Sequence, residues 1–342
     1  MYQIWDTYFE LLGGKRNEQG HWEFGDYQKQ SDAVVFASEI VISPLTQYRL
    51  IRVSGEEAAV FLQRQFSNDI QEITDSHSQY SCYSNAKGRM LASFLIWRWQ
   101  GDYWLMVAAD IAEAICQRLS MFILRSRVKA LLSDTISLIG LKERKGQNEH
   151  DFFPLSIPDM PYQVIATDNS VMIRTPGGGG IIAANDKGTA HVCTALNGKP
   201  GVMGVGCEAW SLLDIRAGIP WVTQKTQEAF VAQMANMDLI GAVNFKKGCF
   251  PGQEIIARTQ YLGKLKRRLY RVAIPGRAQV GDLLLTSLMG EQPIGMVVNV
   301  ARVNDKVSEA LAVIQSHVCD REIFVREINS QPVTLLPLPY PF

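Results

Sequence analysis

One cysteine in this chain has neighbours that favour thiol chemistry, within the eight residues Lys247-Gly248-Cys249-Phe250-Pro251-Gly252-Gln253-Glu254. The Pro-Gly pair before Gln253 predicts the start of a helix that covers residues 253–262. The positive end of that helix and the charge of Lys247 would both favour the thiolate of Cys249. Cys249 is therefore a candidate catalytic residue with Lys247 as its activator. The residues leave one alternative open, an inert buried thiol.

The composition is that of an ordinary folded protein with enough length for two or three hydrophobic cores. The chain has 342 residues, of which 47% are hydrophobic and 20% charged. Lys plus Arg and Asp plus Glu both number 34, so no overall basic field favours a nucleic-acid partner. The most basic stretch, Lys264, Lys266, Arg267 and Arg268, follows the predicted helix. It is either a solvated face or a local tRNA contact.

The cysteines of the chain show no spacing that is typical of a metal site. The six cysteines are scattered and lack the CxxC spacing of zinc or iron–sulfur sites, so we expect no metal. The N-terminus has no basic and apolar leader, and no apolar run approaches the roughly 18 residues of a membrane span. We expect a cytoplasmic protein with reduced thiols and no membrane partner.

The order of predicted elements indicates an α+β fold. Helices and strands alternate up to about residue 265, and short strand-like runs follow, which is typical of a small antiparallel β-barrel. We expect an appended segment over residues 1–40, an α+β body of two subdomains over 41–265 and a β-barrel over 266–342. Ser54-Gly55-Glu56-Glu57 predicts a capping box for a helix, and Gly177-Gly178-Gly179-Gly180 predicts a hairpin turn in preference to a nucleotide loop.

Several segments together resemble the YgfZ family of folate-binding proteins, which are relatives of the glycine cleavage aminomethyltransferase and of mitochondrial iron–sulfur assembly factors. The octapeptide at 247–254 carries the most specific part of this resemblance. The other segments, in the family's order, are Ser54-Gly55, Phe61-Leu62-Gln63-Arg64-Gln65, Asn85-Ala86-Lys87-Gly88-Arg89-Met90, Ala217-Gly218-Ile219-Pro220, Asn244-Phe245-Lys246 and Leu336-Pro337-Leu338-Pro339-Tyr340. They bracket nearly the whole chain.

The resemblance implies folate-binding subdomains around a central opening, closed by the C-terminal barrel. It implies tetrahydrofolate or a derivative as ligand, and a role in supporting iron–sulfur enzymes, including one that thiomethylates tRNA. Partners would be such enzymes or assembly proteins, with weak or indirect association with tRNA. The two folate-binding tryptophans of the family fall on Trp210 and on Tyr48, where tyrosine keeps an aromatic face. Trp210 can also be a core residue at helical spacing with Leu213.

Within the octapeptide, Gln253 and Glu254 would orient groups around the thiol and contribute to the ligand site. Arg216 occupies a position where relatives commonly have a glutamate that binds the pterin. An arginine has five donors and no acceptor, so it could meet a carbonyl or the glutamate tail of the folate. A solvated charge at the end of a helix is the alternative for Arg216.

Besides Arg216, the chain differs from the aminomethyltransferase at positions that bear on the reaction. Where the aminomethyltransferase has paired acidic residues, this chain has Met90-Leu91-Ala92-Ser93. We therefore expect a folate-binding accessory protein, whose Cys249 carries out thiol chemistry or contacts sulfur or a cluster. Two alternatives are a tetrahydrofolate-dependent one-carbon (aminomethyl) transferase and a tRNA-contacting module that uses the basic stretch.

Overall fold

The computed structural model describes residues 2–18, 20–36, 40–143, 157–263, 265–326 and 331–341. Helices and strands are mixed along the chain, which confirms the α+β class. The α-helices are α1 (Tyr2–Leu11), α2 (Tyr27–Phe36), α3 (Ala58–Gln63), α4 (Ala109–Met121), α5 (Asp186–Leu196), α6 (Cys207–Ala217) and α7 (Gln253–Tyr261). Short 3-10 turns lie at Ile70–Glu72, Ala232–Ala235, Ser287–Met289 and Ser316–Val318. The predicted helix over 253–262 is thus confirmed as α7.

The first sheet has five antiparallel strands and forms the first half of the body. In spatial order its strands are β5 (Gln79–Ser84), β6 (Met90–Trp99), β7 (Asp102–Ala108), β4 (Tyr48–Ser54) and β8 (Lys129–Ser133). Helices α3 and α4 pack against it. Every residue of β6 except Arg98 is buried, because helices cover one face and the centre of the molecule lies against the other.

The predicted capping box before α3 is wrong. Helix α3 begins with Glu57 as its N-cap, and no side chain caps it. Gly55 has a different role, because its φ is 119° and a Cβ there would lie 2.1 Å from the carbonyl oxygen of Arg127. The glycine permits a close approach of two backbone segments at the edge of the sheet.

The second sheet has six strands and forms the other half of the body. In spatial order they are β10 (Val164–Ala166), β11 (Ser170–Arg174), β12 (Gly180–Ala184), β9 (Ser137–Lys142), β3 (Ile40–Pro44) and β13 (Val202–Gly204). Only the β3–β13 pair is parallel. The first three of the four consecutive glycines lie between the antiparallel strands β11 and β12, and Gly180 begins β12, which confirms the predicted hairpin turn.

The N-terminal segment packs against this second sheet. It comprises α1, a hairpin of β1 (Lys15–Arg16) and β2 (Trp22–Glu23), and α2. Trp5, Phe9 and Trp22 are buried in one cluster with Ile42 and Leu141 of the sheet. The predicted domain limits at residues 40 and 265 stay a prediction.

The third sheet is antiparallel and curls into a half-barrel, as the predicted C-terminal barrel required. Its order is β18 (Phe324–Val325), β15 (Leu283–Thr286), β16 (Gly290–Arg302), β17 (Val307–Gln315), β14 (Arg267–Pro275) and β19 (Thr334–Leu336). The last of the strand-like runs, at residues 322–328, contains β18, and its residues 327–328 lie outside the described residues. Among the described residues, no helix is both long and apolar enough to cross a membrane.

Helix α6 lies at the centre, in contact with α2, β3, β16 and β17. It ends at Gly218, which has a φ of 68°. The Tyr340 hydroxyl donates a hydrogen bond of 2.7 Å to the Gly218 carbonyl. The C-terminal segment at residues 336–340 therefore contacts the C-terminal end of this helix. The position of α6 determines which of its side chains face the interior cavities.

Candidate functional site

The buried face of α6 carries one carboxylate. Trp210, Leu213, Asp214 and Ala217 follow helical spacing, and Asp214 is the charged member of this face. Asp214 lies deep in the protein but keeps part of its surface open to an interior cavity. A carboxylate on a buried helix face is costly unless its oxygens find partners.

Two aromatic donors satisfy one oxygen of this carboxylate. The Tyr48 hydroxyl donates to Asp214 Oδ2 at 3.1 Å, and the Trp221 indole N–H donates to the same atom at 2.9 Å. No described residue donates a hydrogen bond to Oδ1. Burial raises the pKa of Asp214 to about 6, although the hydrogen bonds from Trp221 and Tyr48 oppose the rise. Burial also raises the pKa of Tyr48 well above its ordinary value, so its phenol remains a donor.

Aromatic rings surround the carboxylate. The Tyr48 and Trp221 ring centroids are 4.4 Å apart, and Tyr80 meets Trp221 edge-on at 5.1 Å. The Tyr80 hydroxyl donates to the Pro220 carbonyl at 2.7 Å. Asn299 of the half-barrel holds the Trp221 backbone through both polar atoms of its amide. The rings are therefore fixed by the first and third sheets and by the turn after α6.

The cavity beside this cluster has a volume of about 360 Å³, and we call it the Asp214 cavity. Tyr48, Asp214, Ile219, Trp221 and Gln47 are among the residues that line it. Both polar atoms of the Gln47 amide are buried and have no hydrogen-bond partner. A free carboxylate oxygen, an unpaired amide and two aromatic rings suit a flat ligand that presents N–H donors beside an acceptor.

The structure places the predicted ligand residues unequally around this cavity. Tyr48 lines it, as expected of a ligand contact. Trp210 is 2% exposed and packs on Gly140 and Gly179, where any Cβ would lie within 2.7 Å of the indole. Trp210 therefore lies in the core. It lines neither the Asp214 cavity nor the two cavities of about 420 and 230 Å³ that are described below. Trp221, which the sequence did not single out, lies beside the carboxylate instead.

Arg216 lines a different cavity, of about 420 Å³, together with Tyr162, Leu239 and Tyr340. It is not a solvated helix-end charge, because its guanidinium binds the carboxylate of Glu309 in a two-point ion pair. Arg271 binds the same carboxylate at 2.9 Å. The three charges join α6 to the half-barrel, which occupies two of the donor groups that Arg216 could offer to a ligand.

The Lys247 side chain is held by backbone carbonyls and is not available to activate the Cys249 thiol. Its ammonium donates to three backbone carbonyls, those of Gln63, Phe66 and Asn68, at 2.7, 2.6 and 2.9 Å. These carbonyls lie at and just after the C-terminus of α3, which attracts positive charge. Burial lowers the pKa of Lys247 to about 8. The predicted role of this lysine as activator of Cys249 is therefore not supported by its contacts.

Cys249 itself is exposed, just before α7, whereas the other five cysteines are buried or half-buried. Its loop lies against the turn at residues 85–89. Gly252 has a φ of 78°, and a Cβ there would lie 2.5 Å from the Asn85 carbonyl oxygen and 2.6 Å from the Gly88 Cα. The motifs at residues 85–90 and 247–254 are therefore in contact, and Gly88 of one lies against Gly252 of the other. Cys249 is therefore not a buried thiol, and its chemical role stays a prediction.

The other residues of the octapeptide lie on the first turn of α7. Gln253 is half-buried and Glu254 is exposed, and neither lines any of the three cavities. Their roles around the thiol stay a prediction. In the part of the chain that the structure describes, no group of three or more His, Cys, Asp or Glu residues could hold a metal ion.

The basic stretch does not form a free cationic face. Arg268 is bound to both carboxylate oxygens of Asp238 at 2.8 and 3.0 Å and to the Gln233 carbonyl. Arg267 is half-buried and Lys266 is exposed. Lys264 lies outside the described residues. Among the described residues of the stretch, Lys266 is an exposed charge, and the tRNA-contacting alternative stays a prediction.

The strand that lacks the acidic pair is fully buried at this point. Ser93 Oγ accepts a hydrogen bond from the Val222 backbone N–H at 3.0 Å and is hydrogen-bonded at 3.3 Å to the Tyr80 hydroxyl oxygen, whose own proton is donated to Pro220. Ser93 therefore supports the ring cluster. Met90, Leu91 and Ala92 are buried as well, so this strand offers no carboxylate to the interior.

Sequence reasoning missed Asp214, Trp221, Tyr80 and Gln47. One signal was available for Asp214, which lies four residues after Trp210 on an otherwise apolar helix face. Trp221 directly follows the Ala-Gly-Ile-Pro motif, but nothing in the sequence shows that its ring turns toward α6. Gln47 precedes β4 and carries no local signal.

Comparison with known proteins gives relatives over most of the chain. No family model matches it. The tRNA-modifying protein YgfZ of Colwellia psychrerythraea is 29% identical over 245 residues, which are 71% of this chain and 74% of the relative. The protein of the same name from Klebsiella pneumoniae is 22% identical over 306 residues, 88% of this chain and 93% of the relative.

A solved structure establishes the fold independently. The glycine cleavage system aminomethyltransferase T from Bartonella henselae superposes with a TM-score of 0.78 at 17% identity, covering 98% of this chain and 96% of that one. At this identity the match concerns the fold alone. The expected resemblance is confirmed: the chain is a relative of the YgfZ proteins with the fold of the aminomethyltransferases.

Proposed function

We propose that this protein is a folate-binding accessory protein that supports tRNA modification, through iron–sulfur enzymes that thiomethylate tRNA. The observation that carries the folate part is the Asp214 cavity, which is lined by a carboxylate with one free oxygen and by two aromatic residues, Tyr48 and Trp221. The tRNA part is supported by the relatives, whose name is tRNA-modifying protein YgfZ.

Tetrahydrofolate or a derivative suits the residues of this cavity. The ligand would supply a reduced pterin with an amino group and ring N–H donors. Asp214 Oδ1 would accept from these donors, and Gln47 has an unpaired donor and acceptor for the same edge. Tyr48 and Trp221 would hold the ring plane. Asp214 thus provides on α6 the acceptor that Arg216 lacks.

Binding without aminomethyl transfer is favoured over the transferase alternative. The strand that carries the acidic pair in the aminomethyltransferase has Met90-Leu91-Ala92-Ser93 here, and Ser93 is engaged in two hydrogen bonds. The Asp214 carboxylate binds two donors through Oδ2, which suits holding a ligand more than moving a proton.

Cys249 would act at the surface. Its exposure lets a partner protein reach the sulfur, whereas the cavity residues are buried. One thiol cannot hold an iron–sulfur cluster alone, because clusters normally take about four ligands. A partner or a small thiol would complete the site.

The folate part is tested by titration with tetrahydrofolate, followed by tryptophan fluorescence. We expect Trp221→Phe and Asp214→Asn to weaken binding by about tenfold or more, since each removes a contact of the cavity. Trp210→Phe is the matched control and should bind as the wild type does. Equal affinity in all four proteins would exclude this cavity as the folate site.

The tRNA part is tested by measuring thiomethylated tRNA in cells that depend on this protein. Cys249→Ala should abolish support for the modification while the protein remains folded. Cys319→Ala, which removes a half-buried thiol of the half-barrel, serves as control. Unchanged modification in Cys249→Ala would remove the cysteine from the function.

A further inference from the structure

The N-terminal segment closes a second cavity of about 230 Å³, which we call the N-terminal cavity. Trp5, Phe9 and Trp22 of the segment form one side of it, and Tyr48 and Ser137 of the body lie on the other. Tyr48 also lines the Asp214 cavity, so the two cavities are neighbours. The aromatic side walls suit a flat ring.

Two buried polar groups, one on each side of this cavity, have no hydrogen-bond partner. Trp5 is 3% exposed and Ser137 is 6% exposed, and neither the Trp5 indole N–H nor the Ser137 hydroxyl is bonded. An unpaired buried donor costs about 1–3 kcal/mol, so such groups are usually satisfied by something. The indole N–H can only donate and the hydroxyl can donate, so a ligand here must carry an acceptor.

Two arginines line the cavity, and each is paired with an aspartate that lines it as well. Arg16 lies 4.9 Å over the Trp22 ring and pairs with Asp6. Arg49 pairs with Asp134 at 2.9 Å, but the Asp134 side chain is 76% exposed. An exposed pair of this kind is worth little, so Arg49 can exchange Asp134 for the carboxylate of a ligand.

We propose that the N-terminal cavity binds an aromatic ring that bears a carbonyl or carboxylate oxygen. Its volume lies below the roughly 300 Å³ at which sites for larger ligands begin, so it holds one ring or two. The ring has two candidate sources, a free aryl carboxylate or the aminobenzoyl-glutamate half of a folate whose pterin fills the Asp214 cavity. Only the second source rests on the proposed function.

Calorimetric titration of the full chain with p-aminobenzoyl-L-glutamate tests this proposal. We expect Trp5→Phe and Ser137→Ala each to lower the affinity about fivefold to tenfold, the effect of one hydrogen bond. Trp97→Phe is a matched control, because the Trp97 N–H is also buried and unpaired but Trp97 lines none of the three cavities. Thermal melting identifies a variant that fails to fold, and Ser137→Ala removes only one oxygen atom.

The proposal is overturned if the wild type does not bind the probe, or if both variants bind it as tightly as the wild type does. Two further titrations identify the source. If Trp5→Phe weakens tetrahydrofolate but not tetrahydrobiopterin, which lacks the tail, the ring belongs to the folate. If it weakens only p-aminobenzoyl-L-glutamate, the ring belongs to a free ligand and not to a bound folate. Wild-type binding of that probe without binding of tetrahydrofolate would defeat the proposed function and leave this proposal standing.

Discussion

The Tyr48 hydroxyl donates a hydrogen bond of 3.1 Å to Asp214 Oδ2, although 166 positions separate the two residues. The bond joins the start of β4 to the buried face of α6, and it holds one carboxylate oxygen so that the other stays free. A fold that places a carboxylate in its interior pays in stability, and such sites are commonly functional. Substitutions in this pair can therefore distinguish an effect on the stability of the protein from an effect on ligand binding.

Asp214→Asn should make the protein more stable above pH 6. Folding raises the pKa of this carboxyl from 3.8 to about 6, so the folded state binds the proton more tightly than the unfolded state does. Its contribution to stability is present below about pH 4 and is lost as the pH rises to about 6, a loss of up to about 3 kcal/mol. Asparagine keeps an acceptor for Tyr48 and Trp221 without the charge.

Urea unfolding of both proteins between pH 4 and pH 8 measures this effect. The stability gained by the variant should grow with pH and level off above pH 6. Parallel stability profiles for the two proteins would mean that the carboxyl titrates normally.

Lys247→Met should lower the free energy of unfolding by about 3 kcal/mol, because three buried carbonyls lose their donor. Lys246→Met removes an exposed charge one position earlier and should change stability by less than about 0.5 kcal/mol. Equal effects of the two substitutions in chemical denaturation would contradict the structural role given to Lys247.

Gly252→Ala should disturb the contact between the two motifs, since φ is 78° and a Cβ would meet the Asn85 carbonyl. We expect a loss of about 2 kcal/mol or more in unfolding free energy. Gly248→Ala is the control in the same loop, because nothing lies within 4 Å of its added Cβ. A stable Gly252→Ala protein would show that the glycine contact is not required.

Cys249 should be the first thiol to react with iodoacetamide in the folded protein. It is exposed, whereas burial raises the pKa of Cys82 to about 11 and that of Cys193 to about 12. Mass spectrometry after brief treatment should find one modified residue in the wild type and none in Cys249→Ala. Rapid modification of another cysteine in the variant would contradict the described burial.

The sequence predicted the elements better than it predicted the site. Helix α7 and the glycine hairpin follow from turn residues, which act over a few positions. The role of Lys247 could not be predicted, because the sequence shows its charge but not the three carbonyls of another segment that receive it. The capping box before α3 was predicted wrongly. The sequence does not show that Arg127, a residue distant along the chain, approaches Gly55 closely.

The ligand site depends on such contacts even more. Tyr48 was predicted through the resemblance, but Asp214, Trp221 and Gln47 come together only when β4, α6 and the half-barrel are assembled. Trp210 illustrates the opposite error, because its spacing fits both a ligand contact and a core residue. Only the packing of its ring on Gly140 and Gly179 shows that it lies in the core.

The most direct test is calorimetric titration of tetrahydrofolate into wild type and Asp214→Asn at several pH values between 5 and 8. If ionised Asp214 accepts the pterin donors, wild-type affinity should be constant above pH 7 and should fall toward about tenfold per pH unit below pH 6. The variant should bind weakly, with an affinity that does not change with pH. Equal affinities and equal pH profiles for the two proteins would contradict the assignment of Asp214 as the ligand-binding carboxylate.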